Sequence, residues 1–361
     1  LAKKKEDGVK PTISSWEITA ASLQKKLGGT SFFCMGDDNV QVLDVQVIPT
    51  GLAALDDALG VFGFPRGRII EIYGQESTGK STLALRVVSQ LQIVEPNSPI
   101  VYVDLEHALD PVWMQKNGVS RTNLWVAQPD SAEDALNVVM QAVESGQVPL
   151  VVLDSVAALA SQDELDGEVG DQAIGKVARL MGQFCRKVVG PLKRHGSTLI
   201  CINQIRQKIG PYGGETRPGG NALKFFASQI IKVRKSGDLA EDGLPIGIDV
   251  EADIKKNKVA PPHRTAIVSM FFNSGFSKEL SLLDIASEME IVDKSGAWYS
   301  YHGERLGQGR VNTAMAMSPV IFNQIYDEFK VMKMSSRTVM KTQEEPEGEP
   351  AGELAEKVLE V

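Results

Sequence analysis

Between about residues 40 and 276, short continuous apolar runs alternate with stretches whose apolar positions recur every three or four residues. Residues 69–73, 100–105, 150–153 and 198–202 are of the first kind and rich in Ile, Val and Leu, as expected of strands buried on both faces of a sheet. Residues 81–94 are of the second kind. There Leu83, Ala84, Val87, Val88 and Leu91 fall on one face of a helix. Ser131-Ala132-Glu133-Asp134 has the form of a capping box, opening a helix with Ala135, Leu136, Val139 and Val143 turned inward. Residues 247–255 alternate Ile248, Val250, Ala252 and Ile254 with charged side chains, so one face of that strand is wet. The alternation predicts an α/β core, a mixed and mainly parallel sheet flanked by helices.

The flanks differ in character. Residues 1–15 are polar and Lys-rich, and a helical segment over 16–27 stops at Gly28-Gly29. After Gly275 the pattern changes to an amphipathic stretch over 280–289, a strand-like piece over 298–301 and helical segments to about Met332. From Lys341 onward the chain is rich in Glu, Pro and Gly, a composition that does not bury enough apolar surface to fold. The expected organisation is an N-terminal arm (1–40), an α/β core (41–276), a small α+β domain (277–335) and a disordered acidic tail (336–361).

Composition narrows the function classes. The 361 residues carry 38 Lys and Arg against 46 Asp and Glu, a formal net charge of -8. Taken whole, that acidity argues against a partner made of phosphates. Residues 344–361, however, hold seven glutamates against one lysine, which leaves the body near -2. The tail therefore reads as an intramolecular competitor for a cationic surface, screened by salt. No apolar run approaches the roughly 20 residues that span a bilayer, because Asp154 interrupts the best candidate at 149–160. Three cysteines, Cys34, Cys185 and Cys201, make no disulfide framework and point to a reducing, cytoplasmic setting. The chain begins at Leu1, which leaves open a processed N-terminus, including one that has lost an organellar transit peptide.

Gly74-Gln75-Glu76-Ser77-Thr78-Gly79-Lys80-Ser81 satisfies the phosphate-loop pattern between a predicted strand and helix. Two glycines let successive backbone N–H groups point at phosphate oxygens, and the helix N-terminus adds positive potential. Lys80 supplies a point charge at the β/γ-phosphates, and Ser81, followed by Thr82, supplies a hydroxyl to Mg²⁺. The run 150–153 ends in Asp154, a carboxylate at the carboxyl end of a central strand that can hold the Mg²⁺ shell. Hydrolysis further needs a group to orient water. Glu106, just after the run 100–105, is the candidate, and by spacing alone it reads equally as a surface carboxylate.

Seven segments then occur in order: 76–81, Asp104-Leu105-Glu106-His107-Ala108-Leu109-Asp110-Pro111, 152–159, Asn203-Gln204-Ile205-Arg206, Gly219-Gly220-Asn221-Ala222-Leu223-Lys224-Phe225, Lys256-Asn257-Lys258 and Ala297-Trp298-Tyr299-Ser300-Tyr301. Over roughly 16–332 the chain strongly resembles the bacterial RecA recombinases. The resemblance implies a DNA-dependent ATPase using ATP and Mg²⁺. Such a protein polymerises as a helical filament on single-stranded DNA, searches duplex DNA and exchanges strands in recombinational repair. It also implies promotion of self-cleavage by a LexA-type repressor in the SOS response, and no membrane partner. By matching position, Glu106 resembles the base that activates water, Asp154 the Mg²⁺ carboxylate and Asp110 a contact to the adenine amino group. Trp113 falls where the family usually has Tyr against the adenine ring. Gln204 resembles the γ-phosphate sensor, and Lys256 and Lys258 resemble interface lysines that reach a neighbour's ATP.

The same resemblance places a first DNA loop at 166–175, with Gly167, Gly170, Ile174 and Gly175, and Arg179 on the following helix. It places a second at 205–220, with Arg206, Lys208, Arg217, Gly219, Gly220 and the adjoining Asn221. Cationic, glycine-rich loops suit sequence-independent backbone binding, although without the family they read equally as solvated loops. The second loop is shorter than the family's usual version, with Pro211, Arg217 and Pro218 in a segment normally rich in Thr. Ile174 stands where Met is common, and Gln75 where Pro is common. Two alternatives belong beside this reading. One is a ring-forming ATPase such as a replicative helicase or recombination mediator, and the other is a filament serving mainly as a regulatory scaffold.

Overall fold

The computed structural model describes residues 15–28, 32, 34, 45–168, 175–207, 214–241 and 243–344. Gly170, Ile174, Lys208 and the acidic tail beyond Glu344 lie outside the described residues. The chain forms two units, 1–45 and 46–361. In the first, helix α1 (Ser15–Leu27) has Lys25 and Lys26 in its last turn, which suits the negative end of the helix dipole. The Trp16 ring meets Phe32 edge to face at 6.4 Å.

The second unit opens with β1 (Val47–Ile48) paired to β2 (Phe64–Pro65), with helix α2 (Ala53–Ala58) between them. Next come β3 (Ile69–Gly74), helix α3 (Lys80–Val94), β4 (Ile100–Asp104), helix α4 (Pro111–Lys116) and β5 (Leu124–Ala127). Helix α5 (Ala132–Glu144), β6 (Leu150–Asp154), helix α6 (Gln162–Asp166), helix α7 (Lys176–His195) and β7 (Thr198–Gln204) follow. A two-stranded ladder, β8 (Arg206–Gln207) with β9 (Glu215–Thr216), leads into helix α8 (Ala222–Phe226). The long strands β10 (Gln229–Glu241) and β11 (Leu244–Asn257), then β12 (Thr265–Phe271) and β13 (Gly275–Phe276), complete the main sheet.

That sheet has nine strands in the order β13-β12-β11-β10-β3-β7-β6-β4-β5. Pairings from β10 through β5 are parallel, whereas β10 to β13 pair antiparallel. The continuous apolar runs sort their residues to opposite faces. Ile70, Ile72, Tyr102 and Val152 pack with Leu83, Val87 and Leu91 of α3. Ile69, Tyr73, Val103, Val151 and Leu153 pack with α5 and α7. Each face is covered by helices, so period-two polarity has no place in these strands.

The antiparallel half is less legible from sequence. In β10, Lys232, Arg234 and Lys235 break the apolar run, and the strand is irregular at three places along β11. Ion pairs from Lys232 to Glu215 and from Arg234 to Glu251 occupy its polar face. The capping box at Ser131 is as expected, with Ser131 Oγ accepting from Asp134 N at 3.1 Å.

The C-terminal part holds helix α9 (Lys278–Glu288), a three-stranded antiparallel sheet of β14 (Asp293–Ser295), β15 (Trp298–Tyr301) and β16 (Glu304–Gln308), helix α10 (Arg310–Ala316) and helix α11 (Pro319–Glu344). Its apolar cluster of Leu280, Leu283, Tyr299, Ile325 and Phe329 continues into Ala53 of α2. Helix α11 runs to Glu344, past the stop near Met332 and the 335/336 boundary drawn from composition. Arg310 ties this part to β11, donating to Asp284 Oδ2 at 2.6 Å and Asp249 Oδ1 at 3.3 Å.

Asp56, on α2, is buried; one oxygen accepts from Thr50 N at 2.9 Å and the other has no partner. Burial pushes its carboxyl from 3.8 up to about 7. Between those values the folded protein holds a proton that the unfolded chain has released. Stability therefore falls as pH rises through that window and levels off above it. In urea titrations at pH 5 and 7.5, Asp56→Asn should remove roughly 2–3 kcal/mol of the wild type's loss. An unchanged difference would mean that Asp56 is ionised throughout.

Candidate functional site

The turn between β3 and α3 is the phosphate loop. Gly79 precedes α3 in the left-handed region at φ 83, and a Cβ there would lie 2.9 Å from Met270 Sδ. A Cβ on Gly74 would stand 2.3 Å from the Val233 carbonyl oxygen. Both positions thus exclude a side chain. Thr78 Oγ1 and Lys80 Nζ both donate to the Gln75 carbonyl, at 2.8 and 2.6 Å, so the loop is closed over its own lysine.

A cavity of about 390 Å³ opens above this loop, lined by Glu76, Ser77, Gly79, Lys80, Ser81, Thr82, Glu106, Asp154, Ile202 and Gln204. Residues from four places in the sequence meet there because β3, β7, β6 and β4 are adjacent and parallel. Their carboxyl ends face one way, the side on which open α/β sheets bind ligands.

Three hydrogen bonds organise the carboxylates. Ser155 Oγ donates to Glu106 Oε1 at 2.6 Å, and Gln204 Nε2 donates to the same oxygen at 3.1 Å. Tyr102 Oη donates to Asp154 Oδ2 at 2.7 Å. Burial raises the Asp154 carboxyl above its ordinary range, and Glu106 and Asp104 push it the same way, against hydrogen bonds from Tyr102 and Ser81. Burial lowers the Lys80 ammonium, opposed by Asp154, Glu106 and Glu76.

These residues fit a nucleotide with a divalent cation. The backbone cradle and Lys80 receive phosphate, while the crowded carboxylates favour added positive charge. Among the described residues no group of three or more His, Cys, Asp or Glu side chains could hold a metal alone. The cation's remaining oxygens must come from phosphate and water, as is usual for Mg²⁺.

Asp104, Ser155 and Asn203 stand in the segments that carry the resemblance but have no role assigned from sequence, and Tyr102 and Glu71 are not singled out there at all. Asp104 accepts from Ala108 N, Leu109 N and Gln128 Nε2 at 3.3, 3.1 and 2.9 Å. It shapes the turn that presents Glu106. A polar residue ending a buried strand was the available signal.

Other expected site residues lie outside the cavity. Asp110 caps α4, accepting from Val112 N at 2.8 Å, and Trp113 is half-buried against the core. Lys256 Nζ donates to the carbonyls of Lys224 and Phe225 at 2.8 and 3.0 Å, and Lys258 Nζ to that of Phe225 at 3.3 Å. Both ammonium groups therefore sit at the end of α8. Burial lowers the Lys256 ammonium, and Lys258 adds to the effect.

Of the expected DNA residues, Gly167 ends α6, Gly175 precedes α7 at φ 80, and Asn221 precedes α8. These three, with Arg179 and Arg206, are exposed. Gly219 is half-buried and Gly220 exposed, yet each approaches the protein closely: a Cβ would lie 2.6 Å from Val156 Cγ1 at the first and 2.8 Å from Ala178 Cβ at the second. Arg217 turns inward too, its Nη1 donating to Glu71 Oε2 at 2.6 Å.

The chain matches known proteins over most of its length. A family model described as the RecA N-terminal domain matches residues 15–277, and one described as the RecA C-terminal domain matches residues 280–332. The chain is 49% identical over 294 residues to Protein RecA of Methylococcus capsulatus, covering 81% of this chain and 84% of that protein. To Protein RecA of Heliobacterium modesticaldum it is 47% identical over 293 residues, again covering 81% and 84%. To that of Syntrophus aciditrophicus it is 46% identical over 299 residues, covering 82% and 86%.

Proposed function

The chain belongs to the RecA family, ATP-hydrolysing recombinases of the phosphate-loop type, and from that premise we propose how its own residues bind ATP, activate water and couple turnover to DNA. The observation that carries the reading is one shared cavity. Glu106, Gln204, Lys80, Ser81 and Asp154 all line it, and Glu106 is fixed through a single oxygen.

Backbone N–H groups of the loop from Gly74 through Thr82 receive the ATP phosphates, and Lys80 exchanges the Gln75 carbonyl for a phosphate oxygen. Ser81 and Asp154 would hold Mg²⁺, which when bound neutralises phosphate charge. Ser155 and Gln204 both engage Glu106 Oε1, which leaves Oε2 to accept a proton from the attacking water. Because Gln204 touches both the carboxylate and the cavity, it reports the γ-phosphate to the loop that follows it. Asp110, with one oxygen used in the cap, and Trp113 bind the adenine.

Lys256 and Lys258 do not line the cavity of their own protomer, and the resemblance to the family gives them the role of reaching a neighbour's ATP. Lysines donated this way stabilise transition-state charge only when protomers are stacked, and turnover then follows assembly into a filament. Exposed Arg179 and Arg206 hold the phosphates of single-stranded DNA, and duplex DNA is then sampled for pairing. Repressor self-cleavage on that filament and a cytoplasmic setting extend the reading. Among the described residues no helix is long and apolar enough to cross a membrane. ATP turnover with and without single-stranded DNA tests the proposal; a rate indifferent to the strand contradicts it.

A further inference from the structure

Glu71 stands in the middle of β3, buried to 1% exposure, among apolar neighbours that leave a carboxylate no solvent. Its two oxygens are shared. Oε1 accepts from Asn203 Nδ2 at 3.1 Å, and Oε2 accepts from Arg217 Nη1 at 2.6 Å. The Arg217 guanidinium also lies over the Tyr73 ring, 4.3 Å from its centroid. Asn203 in turn donates to the Pro218 carbonyl at 3.1 Å and accepts from Gln204 N at 2.9 Å.

The strand end that carries Gln204 is thus joined to the C-terminal root of the second loop directly by the Asn203 amide, and indirectly through Glu71 of β3, which holds both Asn203 and Arg217. Lys232 Nζ holds Glu215 of the same root at 2.7 Å. Gly219 and Gly220 press it against Val156 and Ala178, the latter in the first turn of α7, just after the first loop. A root so placed moves with the strand end or not at all.

We infer that Arg217 is a positioning residue, linking the nucleotide-sensing strand to the second loop through Glu71, and that it does not hold a DNA phosphate. The inference rests on the DNA-binding reading above. A loop merely loosened by loss of the bridge would bind DNA less well with every nucleotide. A broken link instead erases the difference between nucleotides. Coupling of this kind is read as a ratio of affinities.

The test is fluorescence anisotropy with a labelled oligo(dT), with a slowly hydrolysed ATP analogue or ADP, over a series of salt concentrations. E71Q/R217M removes both charges and strands neither; R217K keeps the charge. In the double variant the ATP-to-ADP affinity ratio should fall at least tenfold. The slope of log K against log salt should stay as in wild type. R217K should keep a ratio within about threefold of wild type, since a lysine still reaches Glu71.

Two results overturn the inference. One is an unchanged ratio in E71Q/R217M. The other is a salt slope shallower by about 0.7, the loss of one single-strand phosphate contact. Wild-type protein that binds oligo(dT) with neither nucleotide overturns the DNA reading itself, and the inference with it.

Discussion

Glu106→Gln should lower ATP turnover by about 10²–10⁴-fold, the usual contribution of a positioned general base. It should leave nucleotide and single-strand binding within a few-fold of wild type. The substitution keeps the shape and the acceptor oxygen that Ser155 and Gln204 engage at 2.6 and 3.1 Å. What it removes is the second carboxylate oxygen's capacity to take a proton. The protein is therefore expected to accumulate with ATP and DNA bound. Single-turnover hydrolysis with a parallel measurement of ATP affinity separates the two effects. Turnover within tenfold of wild type would assign the base elsewhere, and a matching loss of affinity would make Glu106 a binding group.

Lys80→Ala acts one step earlier. Removing one partner of a buried, hydrogen-bonded charge pair costs about 2–5 kcal/mol, so ATP affinity should fall by roughly 30- to 4,000-fold. The ammonium lies in a cavity with Asp154, Glu106 and Glu76, which oppose the effect of burial on it. Its loss also removes the positive charge that Asp154, Glu106 and Glu76 share, so affinity for Mg²⁺-free ATP should suffer most. Calorimetric titration with ATP, with and without Mg²⁺, measures both. The fold should persist, because among the described residues Lys80 Nζ donates only to the Gln75 carbonyl. Affinity within a few-fold of wild type would mean that the loop holds phosphate by its backbone alone.

Much of the site was legible because its signals are local. The phosphate loop, the run ending in Asp154 and the Ser131 cap are each contained within about eight residues. Their spacing follows from strand and helix geometry. Glu71, Asn203 and Arg217 are different. Arg217 and Glu71 are separated by 146 residues, and a cation in a glycine-rich loop reads as exposed whenever its partner is out of view.

A signal was nonetheless present. A carboxylate in the middle of Ile69-Ile70-Glu71-Ile72-Tyr73 is costly to bury without a counter-charge or a proton, and a cation from elsewhere in the chain is one of the two ways to meet that cost. The antiparallel half of the sheet was less visible for a related reason. Lys232, Arg234 and Lys235 interrupt the apolar pattern of β10; Lys235 pairs locally with Asp238, but Glu215 and Glu251, the partners of Lys232 and Arg234, are supplied by the fold.

Coupling of ATP turnover to DNA is the central claim. Its most direct measurement is the steady-state rate of ATP hydrolysis as single-stranded DNA is titrated into a fixed concentration of the full chain with Mg²⁺. If Lys256 and Lys258 serve a neighbour's ATP as proposed, the rate should rise at least tenfold. The rise should be sigmoidal in protein at fixed DNA, because an isolated protomer lacks those charges. A rate unchanged by DNA, or one proportional to protein at every concentration, would contradict it.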